Sequence, residues 1–172
     1  MASLMENLIE VLEQESIEYE GLLSLSQKKT PIIVSGNLED LQKITDDEQE
    51  SVGRISQLDK KRTEITADIA NVLNKDVANL KLANLIDMMA ARPWEQKKLA
   101  AVHDSLQSAV RELRRTNEQN RELLADALEV VEFEMGLLQA SKAAPATANY
   151  TRDAYNTGDT MGIPSGSFDA KQ

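Results

Sequence analysis

The residues able to do chemistry are few and poorly spaced for it. The chain holds one histidine, His103, one tryptophan, Trp94, and no cysteine. His103 stands beside Val102 at the edge of an apolar stripe, and a ligand role needs several partner groups that the surrounding sequence does not supply. Helical di-metal sites place Glu-x-x-His pairs on facing helices, and no such pair occurs. Asp46, Asp47, Glu48 and Glu50 form an acidic cluster, but at helical spacing their carboxylates splay around the surface. A calcium loop needs them on a turn with a glycine. No Gly-rich phosphate loop and no nucleophile motif is present. Trp94 reads as packing at the start of a helix. The expectation is a protein that is not an enzyme, with no catalytic residue, no metal and no cofactor.

The elements that would position any site are more legible. Leu99, Val102, Leu106, Val110 and Leu113 repeat at steps of three and four, and the stripe resumes with Leu124, Leu128, Val131, Met135 and Leu138. This is the pattern of a long amphipathic helix lying along other helices. Asn117 and Asn120 fall on the seam between the two runs, where a buried amide lowers stability but fixes register and partner orientation. Both are expected to face the bundle interior, and leucine at both should raise or maintain the melting temperature while weakening register or oligomer control.

Leu4, Leu8, Val11, Leu12, Tyr19, Leu22, Leu23 and Leu25 mark an earlier stripe, interrupted by Glu15. It predicts a helix near 2–34, with Pro31 the awkward residue because an interior proline removes a hydrogen bond. Gly36 suits a helix end and Asn37 an N-cap. Leu38, Leu41, Ile44, Val52, Ile55, Leu58, Ile65, Ile69 and Leu73 predict a second long helix over 38–73, about 54 Å at about 1.5 Å per residue. A short apolar segment near 80–90 connects to the third long helix, near 93–141, with Pro93 in its first turn. From there to the end the chain turns to Gly, Ser, Thr, Asn and Pro without a stripe. The reading is all-α: a long antiparallel three-helix bundle or coiled coil with a short connecting helix. A helical domain over 1–141 would be followed by a disordered C-terminal tail over 142–172.

Composition narrows the partners. The 172 residues carry a net charge of −10, which argues against nucleic acid, whose phosphates demand clustered Lys and Arg. No apolar run approaches the roughly 18 residues of a membrane span, so stable membrane insertion is not expected. The acidic, interrupted N-terminus is unlike a signal peptide, and the absence of cysteine suits a reducing cytoplasm. Only 3% of residues are aromatic, so a wide globular core is hard to build, whereas thin bundles pack along Leu, Ile and Val seams. Residues 1–50 carry twelve acids and three bases, and residues 51–100 six acids and nine bases. A hairpin at Gly36 would bring Glu10, Glu13 and Glu18 towards Arg62, Lys60, Lys61 and Arg54, each exposed pair worth only about 0–1 kcal/mol.

Binding residues are sought where apolar groups exceed what one seam can bury. Val130, Val131, Phe133, Met135, Leu137 and Leu138 lie on more than one face of the last helix, and that helix outruns the first hairpin by roughly ten residues at the helical rise. Either Pro31–Val34 packs there, or the stretch is an exposed platform for a partner helix. Four of the six aromatics, Phe133, Tyr150, Tyr155 and Phe168, fall in this last quarter, the tail ones as anchors that order on binding.

In these features the chain resembles the FlgN-type flagellar export chaperones. The likeness covers about residues 4–160. It rests on the acidic leucine-rich first helix, the break Ser35–Leu41, the segment Leu58–Leu73, the short Leu85–Met89, and above all the L-x-x-x-N-x-x-N-x-x-x-L run from Leu113 to Leu124. Tyr155 and Gly158 add a similar Y-x-x-G arrangement. The resemblance implies a cytoplasmic chaperone that binds hook–filament junction proteins through their terminal amphipathic helices. It would prevent their premature assembly and deliver them to the flagellar type III export apparatus, with Val130 to Leu138 and the tail as the client-binding part. The competing expectation is a structural coiled-coil scaffold, self-associating and without a secreted client.

Overall fold

The computed structural model describes residues 2–77 and 80–143, which are helices joined by short turns, with no strand among them. Four helices follow in order: α1 (Ala2–Ser35), α2 (Leu38–Leu73), α3 (Leu82–Met88) and α4 (Pro93–Ala143). The tail calls at Tyr150, Tyr155 and Phe168, and the tail boundary itself, lie outside the described residues. The chain divides into two compact units, Met1–Glu132 and Phe133–Gln172, with α4 contributing to both.

In the first unit α1 runs unbroken through Pro31 to Ser35. Pro31 sits one turn from the helix end, so its missing N–H costs a single intrahelical bond near a terminus that frays in any case. The turn that follows is built as its residues dictate. Gly36 adopts φ +68°, the left-handed region where a side chain is disfavoured, and its N–H reaches the carbonyls of Ile32 and Ile33 at 3.1 Å. Asn37 then caps α2, its side-chain oxygen accepting from the backbone N–H of Glu39 at 3.1 Å and of Asp40 at 3.2 Å. At the far end Asn74, in the left-handed conformation at φ 54°, closes α2.

This two-residue connection makes α1 and α2 antiparallel neighbours, and the cross-helix pairs confirm the direction. Lys29 meets Glu48, Glu18 meets Arg54, and Glu15 meets Arg62. Between α1 and α4 the order rises together, from Glu13 with Lys98 through Ser16 with Ser105 to Thr30 with Asn120. The two are therefore parallel, with α3 and its flanking turns making the return.

The expected charge pairing is corrected in detail. Glu18 does reach Arg54, at 3.0 Å, but the partner of Arg62 is Glu15 and not Glu10, and Glu13 turns to Lys98 on α4 at 3.4 Å. Glu15 is on the core side of α1, so it is a member of the stripe and not a break in it.

Apolar and polar layers alternate along the axis of the first unit. The base holds Met5, Leu8, Ile9 and Leu12 of α1 against Ile69 and Ala70 of α2, Leu85 of α3, and Leu99 of α4, with Leu80 and Met89 closing it. Full burial of one such leucine is worth about 1.5–3 kcal/mol, so this cluster anchors the bundle. Next come Glu15 and the Ser16–Ser105 hydroxyl pair at 3.0 Å. A second apolar layer joins Leu22, Ile55 and Leu113, with Tyr19 and Leu23 beside it. Above it lies a polar layer that includes Ser26, Glu48 and Asn120, and Ile33 and Ile44 are buried towards the hairpin.

Candidate partner-binding site

The polar layer shows what the sequence pattern at Asn117 and Asn120 positions. Asn120 is 4% exposed, its amide donating to the Ser26 carbonyl at 2.8 Å and its oxygen accepting from the Thr30 hydroxyl at 2.6 Å. The expectation for Asn117 is corrected: it does not face the interior but sits on the rim, exposed overall, its carboxamide oxygen accepting from the Ser26 hydroxyl at 2.6 Å. That hydroxyl also lies 3.0 Å from Glu48 Oε1, and with one proton it serves one acceptor at a time. Lys29 holds the other Glu48 oxygen at 2.7 Å. Three helices thus meet through side-chain hydrogen bonds, and no buried side-chain polar atom among the described residues lacks a partner.

The sequence reading named the α4 half of this layer and missed the α1 half. Ser26 and Thr30 stand at i and i+4 in seam register, where Leu8, Leu12 and Leu22 precede them. Polar residues recurring at apolar positions on two stripes were the available signal.

Glu15 is the most unusual titratable group. It is 2% exposed, and burial pushes its carboxyl above the usual carboxylate range, with Asp59 adding a little. Arg62, 3.0 Å away, pulls in the opposite direction and also engages Asp59. Burial works against the Arg62 charge, yet Glu15 and Asp59 together hold its pKa above the ordinary arginine value. The pair is a structural brace between α1 and α2.

His103 Nδ1 lies 3.2 Å from Asp104 next to it in sequence, and no group of three or more metal-ligating side chains is assembled among the described residues. Trp94 is corrected: it is 69% exposed instead of packed, with the Lys98 ammonium 5.1 Å from its ring centroid. α4 begins at Pro93, so Trp94 lies in its first turn, and the core there is already filled by Leu85, Met89 and Leu99. A cleft of about 150 Å³ at the base is lined by Met5, Ile69, Leu73, Leu85, Met88 and Met89, with Arg92 at its edge paired to Glu95. No helix among the described residues is long and apolar enough to cross a membrane.

The end of α4 differs from all of these. Thr30 stands level with Asn120, so the last residue of α1 stands level with about residue 125 of α4 at equal helical rise. From Ala125 to Lys142 every side chain is exposed. In the first unit these include Leu128, Val130 and Val131, so Pro31–Val34 does not cover them. In the second unit they include Phe133, 67% exposed, together with Met135, Leu137 and Leu138. Large apolar groups left in water on a helix mark an interaction surface or an aggregation hazard.

A protein of Bacillus subtilis (strain 168), described as uncharacterized protein YvyG, is 26% identical over 131 residues, which is 76% of this chain and 78% of that protein. No solved structure matches the chain. The family described as FlgN protein matches residues 1–158, nearly the whole chain and every helix of the bundle, and the chain belongs to that family.

Proposed function

We propose that this chain is a cytoplasmic chaperone of flagellar type III export, binding hook–filament junction proteins through their terminal amphipathic helices until they reach the export apparatus. Membership of the FlgN family supports the flagellar chaperone role. The observation that carries the client-binding part is the exposed apolar run of α4, with Val130 and Val131 in one unit and Phe133, Met135, Leu137 and Leu138 in the other. A soluble bundle that leaves such side chains in water gains by covering them with a partner's apolar face, in the helix-in-groove manner. The functional division we adopt is a helical domain over 1–141 and a tail over 142–172. Tyr150, Tyr155 and Phe168 in the tail serve as aromatic anchors that order on binding. Asn117 and Asn120 have a structural part, holding the register of the seam.

Titration calorimetry with a purified hook–filament junction protein from the same organism tests the reading. Saturable binding is expected, with affinity reduced when Tyr150, Tyr155 and Phe168 are together changed to alanine. A chain that ignores the junction protein and sediments as a stable self-assembly would instead be a coiled-coil scaffold.

A further inference from the structure

The base of the first unit keeps a hollow that its own side chains do not fill. This cleft of about 150 Å³ is walled by Met5 of α1, Ile69 and Leu73 of α2, and Met88 and Met89 at the end of α3. An apolar cavity of about that size takes one benzene-sized group, whereas whole small-molecule ligands occupy about 300–1,000 Å³. The hollow therefore suits a single side chain of another protein. Methionine is flexible and polarizable, so a wall built from it adjusts to what enters. Met88 is 38% exposed, and the wall is open to solvent there.

The charged edge of the cleft is of one sign. Arg92 lines it, and the Lys75 ammonium lies 3.2 Å from the sulfur of Met88. A thioether is a weak acceptor, so a carboxylate arriving there gives Lys75 a better partner. Arg92 is 3.2 Å from Glu95, which offsets part of its charge, but a guanidinium carries five N–H donors. No acidic side chain among the described residues lines the cleft. Asp87 stands on the side of α3 away from Leu85, at about 100° per residue.

We propose that this cleft docks an acidic segment of a partner protein, seating one phenylalanine- or leucine-sized side chain among the methionines and a neighbouring carboxylate against Lys75 and Arg92. The site is separate from the proposed client surface, because α4 rises about 55 Å from Pro93 to Val130. The inference therefore stands without the client class. Within this chain Glu132 and Glu134 flank Phe133, so a second copy is the competing occupant. Seated that way it makes a head-to-tail contact that grows into an open chain unless its rotation closes a ring, and a net charge of −10 on every copy opposes such growth.

Methyl-labelled methionine reports the site in the full chain by NMR. Of the six methionines, Met5, Met88 and Met89 wall the cleft, and Met135 belongs to the second unit. The probe is a tripeptide blocked at both ends, phenylalanine between two aspartates. It should shift the three cleft methyls along one saturable curve, with a Kd of about 1 mM, and leave Met135 unmoved. Replacing both aspartates by asparagine, or the phenylalanine by alanine, should weaken binding about fivefold or more. Lys75→Gln with Arg92→Gln should do the same, and so should Ala91→Leu, whose new side chain competes for the hollow. These three positions are exposed, so the melting temperature should change little. The proposal is overturned if the three methyls stay still, if the asparagine peptide binds equally well, or if Met135 moves with them. It is overturned too if the methyls shift on dilution as a dimer dissociates in sedimentation, which makes a second copy the occupant. The same holds if they shift without peptide when Tyr150, Tyr155 and Phe168 become alanine, which makes the chain's own end the occupant. Binding of a junction protein is a separate measurement, so either reading can fail alone.

Discussion

A carboxylate held at 2% exposure is a costly group, and Glu15 is tolerated because the Arg62 guanidinium sits 3.0 Å from it. Its raised pKa has a definite consequence for stability. Between the ordinary value of 4.5 and the raised one, the folded chain holds a proton that the unfolded chain has released. In that window stability from this group rises as pH falls, and the cost is fully present above it. Glu15→Gln removes the titration. Urea unfolding of both proteins from about pH 7 down to about pH 4.5 should therefore show the unchanged chain gaining on the variant as pH falls. A constant difference across that range would mean that Arg62 cancels the burial cost and that the carboxyl titrates as if in water. Sequence pattern alone could place Glu15 among apolar residues, but not say whether it broke the stripe or completed it. The answer depends on Arg62, 47 residues away, and on the rotation of α2 that brings it inward.

Among the helices, the apolar stripes fix which faces meet, and the polar layer fixes where they stop sliding. Ser26, Thr30, Glu48 and Asn120 hydrogen-bond one another across the helices, a directional demand on register that the apolar contacts of Leu22, Ile55 and Leu113 do not make. Removing one partner of a hydrogen bond should hurt more than removing both. Asn120→Ala leaves the Thr30 hydroxyl with only a 3.4 Å contact to the Ser26 carbonyl, and about 1–3 kcal/mol of stability should be lost. Thr30→Val with Asn120→Leu removes the amide together with the hydroxyl that it serves, leaves Ser26 to Glu48 and Asn117, and should recover much of the loss, as read by denaturant melts. Helix ends and long stripes were legible because caps and periods are local: Gly36, Asn37 and Asn74 do what their residue types allow. The charge register was only half legible, because the pairing of Glu13 with Lys98 requires knowing that α1 touches α4 as well as α2. Trp94 was misread for the same reason, since the apolar space near it is taken by residues distant in sequence. Gly21 and Gly53 lie inside helices where an added Cβ meets nothing within 4 Å. Gly21→Ala and Gly53→Ala should each raise stability by about 0.5–1 kcal/mol, visible as a higher denaturant midpoint.

At the scale of the whole chain, stability is distributed very unevenly. The base of the first unit buries side chains from all four helices, with Ile69 and Leu99 at 0% exposure. Amides there can exchange with solvent only when the bundle opens as a whole. From Ala125 to Lys142 no side chain is buried, so helix there is sustained by propagation along α4 and by backbone hydrogen bonds alone. A helix of that kind opens locally at little cost. Hydrogen exchange followed by mass spectrometry should therefore show strong protection in peptides around Leu8, Ile69 and Leu99. Exchange should be faster by orders of magnitude in peptides beyond residue 130. Gly136 weakens this stretch further, and because an added Cβ there meets nothing within 4 Å, Gly136→Ala should slow its exchange without changing that of the base. Partner binding should slow the same peptides far more, since it supplies the burial they lack. If the residues beyond 130 are as protected as the base in the isolated chain, the apolar side chains there already have a cover. A surface held open for a client would then be the wrong account of them.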